Sequence, residues 1–252
     1  GPRAPRGRWH CCRDSATLFS FVKAQPLPLF AMVDSSRILN AQVVGCAASH
    51  QRLLQALDGL TDEQCRQPSM LTGWSRGHVL SHLANNAYSH QRMFEAASRG
   101  EETEQYEGGR PTRDAQIEAW SGLSAHELVG HVRASIYALE GAWASATPTT
   151  WTGFGIKSHA GGARVAITDL MLMRWCETEV HSSDLNLAHS FESWDATFVR
   201  FELDRQLMIW NSRKSMGLTV LPDAAAKLSP NHRLAWLLGR VAVDGLPVVD
   251  AY

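Results

Sequence analysis

Apolar residues recur at helical spacing through residues 35–58, where Ile38, Leu39, Val43, Val44, Ala47, Leu53, Leu54 and Leu57 fall three or four apart. Asp34 or Ser35 offers a cap at the start of this run, just beyond Met32. Thr61 followed by Gln64 has the spacing of a capping box for a short helix, and Pro68 ends it. Ser75 then predicts the start of a long helix over 76–99, closed at Gly100. The polar stretch GEETEQYEGGRPTR at 100–113 reads as a surface loop. Thr112 caps a short helix after it, and Ser124 with Glu127 caps another that runs to about 145.

Between 147 and 163 the pattern breaks. Pro148, Gly153, Gly155, Gly161 and Gly162 lie among Trp151, Phe154 and Ile156, which predicts an extended or hairpin-like crossover. Helical period resumes over 164–182 and again over 193–213, where Phe198, Phe201, Leu203, Leu207 and Ile209 make an apolar face. The tail differs. GLTVLP at 217–222 reads as a strand, Ser229-Pro230 opens a short helix to Gly239, and VAVDGLPVV at 241–249 reads as strand with a turn at Asp244-Gly245. The whole predicts a mainly α protein: a four-helix-bundle body over 32–190, and a C-terminal helix with a small α+β appendix over 191–252.

Residues 1–31 stand apart from this pattern. They hold Arg3, Arg6, Arg8, Arg13 and Lys23 against the single acid Asp14. We read them as an upstream extension outside the fold, with Met32 as the working start. An Arg-rich, acid-poor stretch is also what an organelle-targeting remnant looks like.

Composition narrows the class. The chain of 252 residues is 44% hydrophobic and 19% charged, which is globular composition. A formal net charge of −1 gives no electrostatic pull toward nucleic acid or anionic lipid. No apolar run is long enough to span a bilayer. Five cysteines, Cys11, Cys12, Cys46, Cys65 and Cys176, are odd in number and lack metal-type spacing, which points to a reducing compartment and a cytoplasmic location.

The candidate chemistry lies in two helices. GWSRGHVLSHLANN at 73–86 carries His82 within a row of His78, His82, Asn86 and His90 at i, i+4 spacing. MRWCETEVHSSDL at 173–185 carries Glu177 and His181, four apart on one face, whereas Glu179 points to another. Two imidazoles and one carboxylate form a set that holds a catalytic zinc and leaves a fourth position open. Blander readings stand beside this one. The histidine row is equally the stripe of a solvated face, and Glu177 is equally half of an Arg174–Glu177 or Glu–His helix pair worth a few tenths of a kcal/mol. Asp184 either orients His181 or ends the helix at the surface.

Two stretches, SMLTGWSRGHVLSHLANNAYSHQRMFEAASRGEETEQY and RWCETEVHSSDL, resemble the mycothiol-dependent maleylpyruvate isomerases, DinB-like four-helix-bundle metalloenzymes. The resemblance runs over about residues 33–190. It implies a divalent metal, zinc by its donor set, on His82, Glu177 and His181. It also implies a low-molecular-weight thiol, mycothiol, as cosubstrate, and isomerisation of maleylpyruvate to fumarylpyruvate by thiolate addition, bond rotation and elimination. The family's arginine after a glycine near a helix end falls on Arg240 in LAWLLGR, as a catalytic cation. A surface arginine favouring a helix dipole fits that position as well. Arg76 and Arg113 are the reserve cations, Trp74 a candidate wall, and Cys176 is expected to pack away from the site. The same ligands would serve a thiol S-transferase, a thiol-conjugate hydrolase or a non-catalytic metal-binding bundle. The thiol's identity and the oligomeric state stay open at this level.

Overall fold

The first helix, α1 (Leu29–Ala56), starts earlier than its pattern suggests, and Met32, Asp34 and Ser35 lie within it. Leu29, Ala31 and Met32 favour helix and nothing up to Ser35 breaks one, so no cap is needed there. The computed structural model describes residues 29–158, 161–213 and 219–249, with side chains from Ser35 onward. The expected N-terminal extension falls almost wholly outside these residues.

Capping signals set the next elements. Thr61 closes the expected box with Gln64 at the head of α2 (Asp62–Arg66). Ser75 caps α3 (Arg76–Ser98), where the reciprocal partner is His78: Ser75 N–H donates to His78 Nδ1 at 3.2 Å. The first histidine of the row is thus used in the cap. The next helix, α4 (Gly109–Ser121), begins before Thr112 because Gly108 and Gly109 take positive φ (80° and 73°) and turn the chain straight into it. Ser124 and Glu127 box the start of α5 (Ala125–Ala144).

The crossover after α5 contains a single turn, α6 (Pro148–Trp151), and a hairpin of β1 (Phe154–Ile156) and β2 (Arg164–Ala166), antiparallel with Phe154 opposite Ala166. Residues 164–166, expected as helix, are therefore strand, and α7 (Asp169–Asp184) begins later. Asp195 caps α8 (Ala196–Asn211) through the amides of Thr197 and Phe198.

In the tail, α9 (Asp223–Ala226) and α10 (Pro230–Leu237, capped by Ser229) are helical, and among the described residues 219–249 no strand forms. Val241, Val243, Leu246 and Val249 instead pack singly against the core. Leu246 N–H closes a turn on Val243 O at 3.1 Å, and Pro247 O accepts from Trp236 Nε1 at 3.0 Å. Pro247 has no N–H, and no strand among the described residues offers a ladder, so these side chains are held by packing while Val248 stays exposed.

The body is a ring of four helices. Both α1 and α3 pack against α5 and against α7. Gly45 permits the α1–α7 approach, since a Cβ there would fall inside the Trp175 indole. Two apolar clusters fill the ring. One gathers Phe94, Met171, Trp175, Phe198 and Trp236, and the other gathers Leu53, Leu57, Leu80, Leu83, Val132 and Ile136. Helix α3 feeds both, with Leu80 and Leu83 on one side and Ala87, Met93 and Phe94 on the other. A helix buried on so much of its circumference cannot hide His82, Asn86 and His90 from the interior, and all three are buried.

Candidate metal centre

His82 projects from α3 toward α7, where Glu177 and His181 share a face one turn apart. Glu177 Oε2 lies 2.8 Å from His82 Nε2 and 3.3 Å from His181 Nε2. The two imidazoles meet edge to face at 4.8 Å between centroids. All three side chains are buried, and one ligand-capable atom from each lies within 4.8 Å of the others. Among the described residues this is the one group of three His, Cys, Asp or Glu so placed.

Electrostatics prepare the donors differently. Burial lowers the His82 imidazole to about 4, despite the opposing pull of Glu177. At neutral pH it is therefore neutral, as ligation requires. Burial opposes charge on Glu177 too, but His82 and His181 outweigh it and hold the carboxyl well below its ordinary range. For His181 burial is again overcome, here by hydrogen bonds to Asp184 and Glu177, and its pKa rises.

Behind His181 the structure extends the site. Asp184 Oδ2 lies 2.8 Å from His181 Nδ1, which directs the Nε2 edge of the ring toward Glu177. The same carboxylate receives Arg240 bidentately, Nε at 3.0 Å on Oδ1 and a terminal nitrogen at 2.9 Å on Oδ2. Burial works against the Asp184 charge, but Arg240 and His181 prevail and lower its pKa. Arg240 thus stands two contacts from the ligand cluster, with its charge on Asp184. Beside them opens a cleft of about 310 Å³ lined in part by Met70, Leu71, His189, Phe191 and Trp194.

The other sequence candidates separate. Arg76 is buried and structural: it donates to Leu185 O at 2.6 Å and Asn186 O at 2.8 Å, tying the head of α3 to the end of α7. Arg113 comes closest to the cluster, with a terminal nitrogen 3.4 Å from His82 Nδ1 and its guanidinium 6.0 Å from the Trp74 ring centre. Trp74 itself lies 5.8 Å from the His82 ring, so the expected wall is present. Cys176 is buried in the apolar cluster, away from the ligand face. Glu179 faces elsewhere, joined to Arg52, Trp175 Nε1 and His189.

One buried network escaped the sequence reading. His50 of α1 meets Glu140 of α5 at 2.8 Å through Nδ1 and accepts from Arg174 Nε of α7 at 3.1 Å. Arg174 also donates to Asn86 Oδ1 at 2.8 Å and Leu83 O at 3.0 Å. A histidine amid the apolar stripe of Ala47, Leu53 and Leu54 was the available signal, because a buried imidazole needs a partner.

The donors fit a divalent ion of the zinc type: two buried imidazoles and an ionised carboxylate converge from two rigid helices, and one imidazole is oriented by a second carboxylate. Binding through His82 Nε2 places the ring proton on Nδ1, so Arg113 would give up its contact there.

Comparison with known proteins agrees with this architecture. A crystal structure of the mycothiol-dependent maleylpyruvate isomerase superposes with a TM-score of 0.74 at 21% identity, covering 85% of this chain and 97% of that one. A histidine-to-alanine mutant of that enzyme gives 0.72 at 21% identity, covering 81% and 90%. At this identity the likeness is one of fold. Curated protein sequences give no significant match. The sequence model of the mycothiol maleylpyruvate isomerase N-terminal domain matches residues 46–186. That span is more than half of the 252-residue chain and contains α3, α7 and the whole His82–Glu177–His181 cluster, so the chain belongs to the mycothiol maleylpyruvate isomerase N-terminal domain family.

Proposed function

We propose that this protein is a metal- and thiol-dependent cis–trans isomerase that converts maleylpyruvate to fumarylpyruvate, with mycothiol as the thiol. The observation that carries the reading is the convergence of His82, Glu177 and His181 within 4.8 Å in a buried seam, inside the span that defines the family. These three residues hold the metal, zinc by the donor set. When bound, it would supply a Lewis acid able to lower the pKa of a thiol, so that thiolate would be available at neutral pH.

The chain's own residues do the rest. The thiolate sulfur adds to the activated double bond, and the electron pair moves to the conjugated carbonyl oxygen. Rotation about the resulting single bond precedes collapse of the enolate, which restores the double bond and releases the thiolate unchanged. Arg113 is the cation nearest His82, and it stabilises the developing oxyanion. Trp74 lies beside both the Arg113 guanidinium and the His82 ring and walls the site. Arg240 acts through Asp184 as a positioning residue for His181. Buried walls around the cluster keep water from the adduct.

The test is elemental analysis of the protein and of His82→Ala, Glu177→Ala and His181→Ala, followed by product analysis with mycothiol and maleylpyruvate. Near one zinc per chain, lost in each variant, with thiol-dependent isomerisation, is the expected result. Protein that takes up no metal after reconstitution overturns the mechanism. Metal with a stable thiol conjugate as product assigns the site to S-transfer instead.

A further inference from the structure

One to two turns along α3 from His82, the buried seam holds polar groups that the metal centre does not use. His90 is 1% exposed, and neither of its ring nitrogens has a hydrogen-bond partner among the described residues. Arg174 is fully buried; its Nε and one terminal nitrogen are engaged by His50, Asn86 and Leu83, while the other terminal nitrogen has no partner among the described residues. Among the described residues no carboxylate hydrogen-bonds this guanidinium. A buried polar group left unpaired lowers stability, and a buried charge left unpaired lowers it more. Two such groups on one seam are a standing loss of stability, of the kind that binding sites retain.

Placement and potential suit an anion. Asn86, which receives Arg174, and His90 lie four and eight residues past His82, about 6 and 12 Å along the helix axis. Arg174 lies three residues before Glu177 on α7. An extended dicarboxylate of about seven carbons, the chain length of maleylpyruvate, spans that interval with a polar contact at each end. Burial, then the charge of Arg174, lower the His90 imidazole to about 3, and half-buried Lys157 adds in the same direction. His90 is therefore a neutral ring with an N–H to donate, in a region of positive potential. The opposing charges are Glu177, which acts on both His90 and Arg174, and Glu140, which acts on Arg174. Neither satisfies the orphan nitrogens.

We propose that the unpartnered Arg174 nitrogen and His90 form a carboxylate-binding subsite that seats the end of the substrate remote from the His82–Glu177–His181 cluster, and so selects dicarboxylates. The assignment rests on the isomerase reading for the identity of that substrate. A carboxylate oxygen accepts from the guanidinium and from the imidazole N–H at once. A charge-assisted hydrogen bond of this kind is worth about 1.5–3 kcal/mol, roughly tenfold to a hundredfold in affinity.

The test is calorimetric titration of zinc-reconstituted protein with pimelate, a linear dicarboxylate of the same carbon number as maleylpyruvate, and with monomethyl pimelate. Wild type is expected to bind pimelate at least about tenfold more tightly than the monoester. His90→Phe is expected to bring the two ligands within roughly twofold while leaving the thermal midpoint unchanged or raised, since it removes a buried group that has no partner. Arg174→Lys is expected to lose the same discrimination and also some stability. Undiminished discrimination in His90→Phe and Arg174→Lys overturns the subsite, as does a large drop in thermal midpoint for His90→Phe, which would mean that its nitrogens are structurally engaged. Discrimination that depends on His90 in a protein that does not turn over maleylpyruvate upholds the subsite and removes only the isomerase assignment.

Discussion

Replacing Asp184 with asparagine tests whether the site is organised from behind. The carboxylate is 2% exposed and stands between His181 Nδ1 at 2.8 Å and the Arg240 guanidinium at 2.9 and 3.0 Å. Asparagine keeps its shape but offers one acceptor where there were two. Its amide N–H₂ must then face either the guanidinium or the imidazole N–H, donor against donor. Removing one member of a buried ion pair destabilises by about 3–5 kcal/mol. Losing the acceptor that orients a metal-ligating histidine lowers metal affinity by about 10–100-fold, or about 1.4–2.7 kcal/mol. Both effects are measurable: zinc affinity by competition with a chelator, and stability by urea unfolding of metal-free protein. Arg240→Met should weaken zinc in the same direction but less, because Asp184 keeps its charge. Wild-type zinc affinity in Asp184→Asn would refute the claim that Asp184 positions His181. Wild-type affinity in Arg240→Met with turnover abolished would move Arg240 from positioning to the substrate.

Three further outcomes follow from the packing. His50 is held near pKa 4 against an ordinary 6.5, chiefly by burial, so the unfolded chain binds a proton that the folded chain refuses between those values. The stability linked to it, up to about 3 kcal/mol, is present above pH 6.5 and is lost as pH falls toward 4. His50→Gln, which keeps a donor for Glu140 and an acceptor for Arg174, should reduce the pH slope of urea stability over that window, the rest being carried by His82 and His90, and an unchanged slope would refute the assignment. Gly45→Ala forces a methyl group into the buried Trp175 indole and should destabilise by about 1–3 kcal/mol, read from the urea midpoint; a neutral effect would mean that α1 and α7 pack further apart. Zinc at 100 times its dissociation constant should add about 2.7 kcal/mol of stability, seen as a raised thermal midpoint that is absent in Glu177→Ala; an equal rise in that variant would place the metal elsewhere.

Local order was legible along the chain because its causes lie within a turn or two. Thr61, Ser75, Ser124 and Ser229 are each followed at three residues by the amide they cap, and each opens the expected helix. Glu177 and His181 share a face simply because they are four apart on a helix. Where several local signals competed, the expectation shifted: Thr112 and Asp34 resemble caps, yet the glycine turn at Gly108 and the unbroken helix formers before Ser35 place the starts earlier. The valines of 241–249 alternate as a strand does, but alternation creates a strand only where a neighbouring strand completes the ladder, and here packing took Val241, Val243 and Val249 instead.

The functional pairings are of another kind. The commitment of Arg240 to Asp184 spans 56 residues, and that of Arg174 to His50 spans 124. No periodicity encodes either, since each depends on how the four helices turn about their axes when the two apolar clusters close. The sequence by itself determined which side chains were available and which face of its own helix each occupied. Only the tertiary structure decided that Arg113 stands at His82 while Arg240 stands behind His181, and that His90 and Arg174 are buried together with hydrogen bonds unspent. The physical reason is that burial of apolar surface is non-directional and dominates the folding free energy, so it sets the helix rotations. The polar groups carried inward by those rotations then find the partners that remain.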